Sequence, residues 1–148
     1  MPDKKEVLVK VTGVFVANSE EDLENKSPVV FLESPEHKIL PIYIGVSEAF
    51  SIQTALDNAP YPRPLTHDLF INVLENNGLR VEEVVIDELS EGVFFSRLII
   101  SNNGEKIEYD ARPSDCIALA VRANAPVLVS ESVMEGAASV EKNGYDVE

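Results

Sequence analysis

The spacing of apolar residues changes period twice along this chain, and the order of those changes limits the folds open to it. From Glu6 to Ala17, Val7, Val9 and Val11 fall on one side of an extended run and Leu8, Lys10 and Thr12 on the other. That alternation is the signature of a half-buried strand. Gly13 breaks the phase and Val14 and Val16 take over, which predicts a bulge. Pro28 to Glu33 and Lys38 to Gly45 read as two more strands, joined by the turn Ser34-Pro35-Glu36-His37. Pro28 opens its strand where no ladder donor is missed; Pro41 lies inside the third strand and argues for an edge. The period then becomes helical. Ser47 is the expected N-cap for Ala49, Ile52, Ala55 and Leu56, and Thr66 for a face made of Leu69, Phe70, Val73 and Leu74. Pro60, Pro62 and Pro64 keep the link between them stiff, and Asn77-Gly78 stops the second helix.

The two-residue period returns at Val81 to Leu89, Val93 to Ser101 and Lys106 to Tyr109. Glu91-Gly92 and Asn102-Asn103-Gly104 are the hairpin turns between them. A third helix runs from Ser114 or Asp115 to Ala123 and ends at Asn124-Ala125-Pro126. Val127-Leu128-Val129 is a short apolar strand suited to the middle of a sheet, and Ser132 to Gly136 a last helical turn. The expectation is a single α+β domain over residues 1–136, with a mostly antiparallel sheet, about three helices packed on one side of it, and a flexible tail from 137 to 148. The edge strand with Pro41, Tyr43, and the apolar pair Val133-Met134 are candidate subunit contacts.

Two short stretches concentrate the chemistry. One is Asp110-Ala111-Arg112-Pro113-Ser114-Asp115, which leads into Cys116-Ile117-Ala118-Leu119-Ala120; the other is Arg63-Pro64-Leu65-Thr66-His67-Asp68-Leu69. In both an Arg-Pro pair precedes a hydroxyl, then an acid, then an apolar run. The expectation is that these turns face one another and form one polar site.

Together with Leu40-Pro41-Ile42-Tyr43-Ile44-Gly45 and Glu48-Ala49, these two stretches resemble the bifunctional nuclease domain family, over about Val7 to Met134. Three such blocks in this order are a specific signal. The resemblance implies an α+β fold, a homo-oligomer, and a capacity to degrade both RNA and DNA. Some members carry a short helical module after the domain, for which the residues beyond Met134 leave no room.

Hydrolysis of a phosphodiester needs an activated nucleophile, neutralisation of charge on phosphorus, and help for the leaving group. Asp68, Asp110, Asp115 and Glu48 are hard oxygen donors suited to Mg²⁺ or Mn²⁺. Arg63 and Arg112 are placed to clamp a phosphate, and His67 to act as acid or base near neutral pH. Thr66 and Ser114, at the starts of helices, add donors for an anion. The catalytic set is then His67, Asp68, Asp110, Asp115 and Arg112, with Arg63, Thr66 and Ser114 binding substrate. Structural roles compete with each of these. An acid in the first turn of a helix stabilises it by ~0.3–1 kcal/mol, and Arg112 beside Asp110 or Asp115 can simply fix a turn. Cys116 reads as a small buried hydrophobe and His37 as solvated surface.

The net charge of −14 opposes binding to a polyanion, because such affinity comes largely from phosphate neutralisation. Part of that charge falls in Asn18 to Asn25, expected to be a solvated loop, and in the tail. The charge favours the alternative, a non-catalytic oligomeric module binding a small anion or a protein partner. No apolar run approaches the ~20 residues of a membrane span, no apolar segment of a signal peptide follows the N-terminus, and a lone cysteine forms no internal disulfide. These point to a cytoplasmic protein.

Overall fold

The computed structural model describes residues 5–16 and 27–138. The expected acidic loop at Asn18 to Asn25 and the tail beyond residue 138 lie outside the described residues. The elements run β1 (Glu6–Val16), β2 (Pro28–Glu33), β3 (Ile39–Tyr43), α1 (Val46–Leu56), α2 (Thr66–Asn76), β4 (Arg80–Ser90), β5 (Val93–Asn102), β6 (Glu105–Ala111), α3 (Pro113–Ala123), β7 (Val127–Ser130) and α4 (Glu131–Ala137).

The strands form one seven-stranded sheet in the order β3-β2-β1-β7-β4-β5-β6. Two local meanders, β1-β2-β3 and β4-β5-β6, are thus joined by β7 in the middle. The sheet is mixed, which corrects the expectation of a mostly antiparallel one. β7 is antiparallel to β1 but parallel to β4, with Val84 opposite Val127 and Ile86 opposite Val129. The cause is α3. It carries the chain back along the sheet after β6, so that β7 enters in the direction of β4, the usual route to a parallel pair. Among the described residues there are four helices where about three were expected; the last turn is a full helix, α4, whose cap Ser130 accepts a hydrogen bond from the Val133 amide.

Local chemistry accounts for the strand details. β1 shifts register between Val11 and Gly13, and Gly13 takes φ 154°, which only glycine adopts without strain. β3, with Pro41, is an edge strand. The core lies between the sheet and the helices. Val9, Leu32, Leu40, Val84, Ile86, Leu98 and Val129 meet Ile52 of α1 and Ile117 and Leu119 of α3. α3 is the central helix: Cys116 to Ala120 are all buried, because α1 and α2 cover its outer sides. Val133 and Met134 belong to this core, which removes them as candidates for a subunit contact.

The helix starts differ from expectation. Gly45, Leu65 and Arg112 are the N-caps, none through its side chain, so Ser47, Thr66 and Ser114 lie inside the first turns. Pro113 takes the first position of α3, where it misses no hydrogen bond. On α2 only Leu74 of the expected apolar face is buried; Leu69, Phe70 and Val73 are exposed. This helix is apolar at 69, 70, 71, 73 and 74, and it turns the Ile71 and Leu74 side inward.

Candidate functional site

The first turns of α1, α2 and α3 converge on one cavity of about 600 Å³, lined by Glu48, Phe50, Ser51, Tyr61, Thr66, His67, Arg112 and Asp115 among others. Each helix owes its start to a chain-stiffening or capping feature already named: Gly45, the proline-rich link, and Arg112-Pro113. The two Arg-Pro turns do meet. His67 Nε2 lies 2.9 Å from Asp115 Oδ1. Asp115 in turn accepts from Arg112, with Nε 2.9 Å from Oδ2 and Nη2 3.2 Å from Oδ1, a bidentate fork. Arg112 Nη2 also reaches Glu48 Oε2 at 3.4 Å. The fourth member is Ser51, whose Oγ sits 2.7 Å from His67 Nδ1.

The protonation pattern follows from these contacts. Burial alone would raise the Asp115 carboxyl, but hydrogen bonds and charge from Arg112 and His67 outweigh it and hold it below its ordinary value of 3.8. An ionised Asp115 only accepts, so His67 Nε2 carries the proton. In the neutral ring His67 Nδ1 is then the acceptor, and the Ser51 hydroxyl donates to it. The Arg112 guanidinium is raised further by its bonds to Asp115, yet its side chain stays 63% exposed. Ser51 is the buried end of the cluster, His67 beside it is 13% exposed, and Arg112 is the open end.

The other candidates are turned elsewhere. Asp68 Oδ1 accepts from Arg122 Nε at 2.7 Å, and Oδ2 from the Leu65 amide at 2.8 Å. One oxygen thus ties α2 to α3 and the other caps the start of α2. Burial pushes its carboxyl up, but Arg122 and the Leu65 amide overcome this and lower it. Arg63 lines a separate cavity beside Asp68 and Arg122. Asp110, exposed on β6, and Ser114, buried, line a third cavity that shares Arg112 with the first. Cys116 is fully buried, and burial pushes its thiol up to about 11, which makes it an inert core residue. His37 is exposed, paired with Glu33.

Mg²⁺ or Mn²⁺ needs several oxygen donors gathered around one point. Asp68, Asp110 and Asp115 do not share a cavity, and Glu48 and Asp115 are both paired with Arg112. Among the described residues no three His, Cys, Asp or Glu side chains are grouped to hold an ion. The residues as arranged do not make a preformed site for it.

Ser51 and Arg122 lie outside the set that the sequence pattern points to. Ser51 carried a faint signal, as a hydroxyl on the buried stripe between Ala49 and Ile52 of α1. Arg122 carried none.

The family profile described as bifunctional nuclease domain matches residues 29–142. An uncharacterized protein of Mycobacterium tuberculosis is 38% identical over 126 residues, covering 85% of this chain and 73% of that protein. Bifunctional nuclease 1 of Oryza sativa is 31% identical over 108 residues, 71% of this chain but 33% of the rice protein. Bifunctional nuclease 2 of Arabidopsis thaliana is 26% identical over 117 residues, 74% of this chain and 36% of that protein. The chain therefore spans about a third of the length of these plant relatives. Among the described residues no helix is long and apolar enough to cross a membrane.

Proposed function

Because the chain belongs to the bifunctional nuclease domain family, we propose that it is a nuclease that hydrolyses phosphodiester bonds in RNA and DNA, with its chemistry at the cluster of His67, Asp115 and Arg112. The observation that carries this reading is the hydrogen-bonded chain Ser51–His67–Asp115–Arg112, open to solvent at its Arg112 end.

In this reading the exposed face of Arg112 holds the phosphate and neutralises charge gained on its oxygens. A water enters beside His67. Nδ1 accepts its proton, directly or through the Ser51 hydroxyl, as the water oxygen bonds to phosphorus and the sugar oxygen leaves. The proton on the imidazolium then goes to that leaving oxygen. Asp115 keeps His67 in the required tautomer and stabilises its charged form. Asp115 and Glu48 also fix the angle of Arg112. No step is routed through a divalent ion, since the donors do not gather for one.

The test is a cleavage assay on RNA and plasmid DNA, with protein purified through two orthogonal columns, in the presence of Mg²⁺, of Mn²⁺, or of chelator. His67→Ala should lose ~10²–10⁴-fold in rate, the contribution of general acid–base catalysis, while keeping its circular dichroism. Ser51→Ala should lose far less. A folded His67→Ala variant that cuts like the parent places the chemistry elsewhere. Loss of all cleavage in chelator assigns charge neutralisation to an ion rather than to Arg112. A parent protein that cuts nothing under any condition returns the chain to the alternative of an anion-binding module, which its charge of −14 favours.

A further inference from the structure

We infer that the substrate is taken as a single strand, with unstacked bases seated on either side of the phosphate held by Arg112. This rests on the nuclease reading of the site and adds to it the form of the nucleic acid. Arg112 lies on the boundary between two cavities. The first, of about 600 Å³, has an aromatic wall of Phe50 and Tyr61, whose rings meet edge to face at 5.5 Å. The second, of about 730 Å³, is walled by Val93, Phe94 and Phe95 of the β4–β5 hairpin and by Tyr43 at the end of β3. Each is within the range of volumes that hold a small ligand. Phe50, Tyr61, Phe95 and Val93 are 48%, 52%, 44% and 55% exposed, so apolar surface is presented at both mouths.

The charges argue for bases rather than backbone as the source of affinity. Among the described residues lining the two cavities, Arg112 is the one Lys or Arg side chain, against the carboxylates of Glu48, Asp115 and Asp110. A duplex offers phosphates outward and hides its bases. That presentation meets acids on both sides of Arg112. A single strand offers one phosphate to Arg112 and neutral, flat bases to the aromatic walls. Stacking of this kind is indifferent to sequence and to the sugar, which fits action on both RNA and DNA.

The experiment is fluorescence anisotropy with labelled single-stranded octanucleotides of RNA and DNA, with the DNA octamer made abasic at two adjacent positions, and with a labelled hairpin duplex. Phe95→Ala and Tyr61→Ala, both at exposed positions, are each expected to weaken single-strand binding by about 5- to 50-fold, as loss of one stacked base does. The abasic octamer should bind worse by a similar factor. The slope of log affinity against log salt should be near about −0.7, the value for one phosphate on a single strand. Duplex bound as tightly as single strand, a slope of several units, or alanine variants that bind like the parent would each overturn the inference. If those variants instead change the mass seen by light scattering and leave binding unaltered, the aromatic walls are a subunit contact and the inference also falls. The two readings fail separately. A parent that binds single strands in this manner but cuts nothing keeps the base sites and loses the nuclease. A parent that cuts, with Phe95→Ala and Tyr61→Ala unchanged in binding, keeps the nuclease and loses the base sites.

Discussion

Asp68 lies next to His67 in sequence, yet its geometry makes it a structural residue, and that has a measurable consequence. Its carboxylate receives Arg122 Nε at 2.7 Å and the Leu65 amide at 2.8 Å. Arg122 is only 8% exposed and its remaining contact is with the Ala118 carbonyl, so removing Asp68 strands a nearly buried guanidinium. Each charge-assisted bond contributes about 1.5–3 kcal/mol in a buried setting. Asp68 is itself 38% exposed, so water screens it and about 1 kcal/mol for each bond is the sounder figure. Adding about 1 kcal/mol for the stranded guanidinium, Asp68→Ala should cost about 3 kcal/mol. In a chain of this size that lowers Tm by about 6–12 °C. Asp68→Asn keeps one of the two acceptor oxygens and should lose about half as much. The carboxyl is lowered in the folded state from an ordinary 3.8, so its stabilisation is complete above that value and is lost as the pH falls through the lower folded value. The gap in Tm between parent and Asp68→Asn should therefore close on acidification below about pH 4, as followed by thermal denaturation in buffers from pH 7 to 3. Cleavage at 20 °C, where both proteins are folded, should be within a few-fold. Unchanged Tm together with abolished cleavage in Asp68→Asn would refute the structural assignment and restore Asp68 to the chemistry.

Two further outcomes follow from single positions. A methyl group at Gly45 would run into the Glu48 carboxylate, which folds back over the start of α1; Gly45 φ is −78°, so the backbone itself tolerates alanine. Gly45→Ala should shift Tm by no more than about 3 °C but move Glu48 off Arg112. In the proposed reading Arg112 both holds the phosphate and neutralises charge gained in the reaction, so KM should rise and kcat fall, each several-fold; unchanged kcat and KM would contradict that role of Arg112. Cys116, with its thiol pushed up to about 11 and no exposed surface, should resist iodoacetamide at pH 8 for hours and react promptly in denaturant. Rapid labelling of the folded protein, read by mass spectrometry, would show that the α3 core opens.

What could be read from the residues was what depends on near neighbours. The bulge at Gly13, the edge position of Pro41 and the three hairpins are set by a few adjacent side chains and turn residues, and each appears where expected. The meeting of the two Arg-Pro turns was legible too, through their shared pattern, and the His67–Asp115 bond spans 48 residues to make it. Features set by distant packing were hidden. The parallel pairing of β7 with β4 depends on where α3 crosses the sheet, which no local period records. α2 is apolar on two sides, and only the position of α3 selects Ile71 and Leu74 over Leu69, Phe70 and Val73. The direction of Asp68 was hidden for the same reason. An acid at the third position of a helix serves equally as a cap or a ligand, and a buried Arg122 decides between them.

The charge of −14 and a site for phosphate are compatible once the cavity is considered by itself. The first turns of three helices line it, and each helix N-terminus behaves as roughly half a positive charge. Each also carries its own first-turn acid: Glu48 on α1, Asp68 on α2 and Asp115 on α3. Asp68 is paired with Arg122 outside the cavity; Glu48 and Asp115 offset the helix ends and Arg112 offsets part of those two acids, so the cavity is close to neutral while the protein as a whole is acidic. A near-neutral site on an acidic protein cannot draw a polyanion in from a distance, because that requires a wide positive field. In the proposed reading, recognition comes from contact, through apolar walls and one guanidinium. Raising the ionic strength from about 50 to 150 mM screens the long-range repulsion and weakens only one close phosphate contact. The value of kcat/KM on a single strand should consequently fall by no more than about two-fold over that range. A fall of tenfold or more would mean that cations beyond the cavity, not the aromatic walls, bring the substrate to His67.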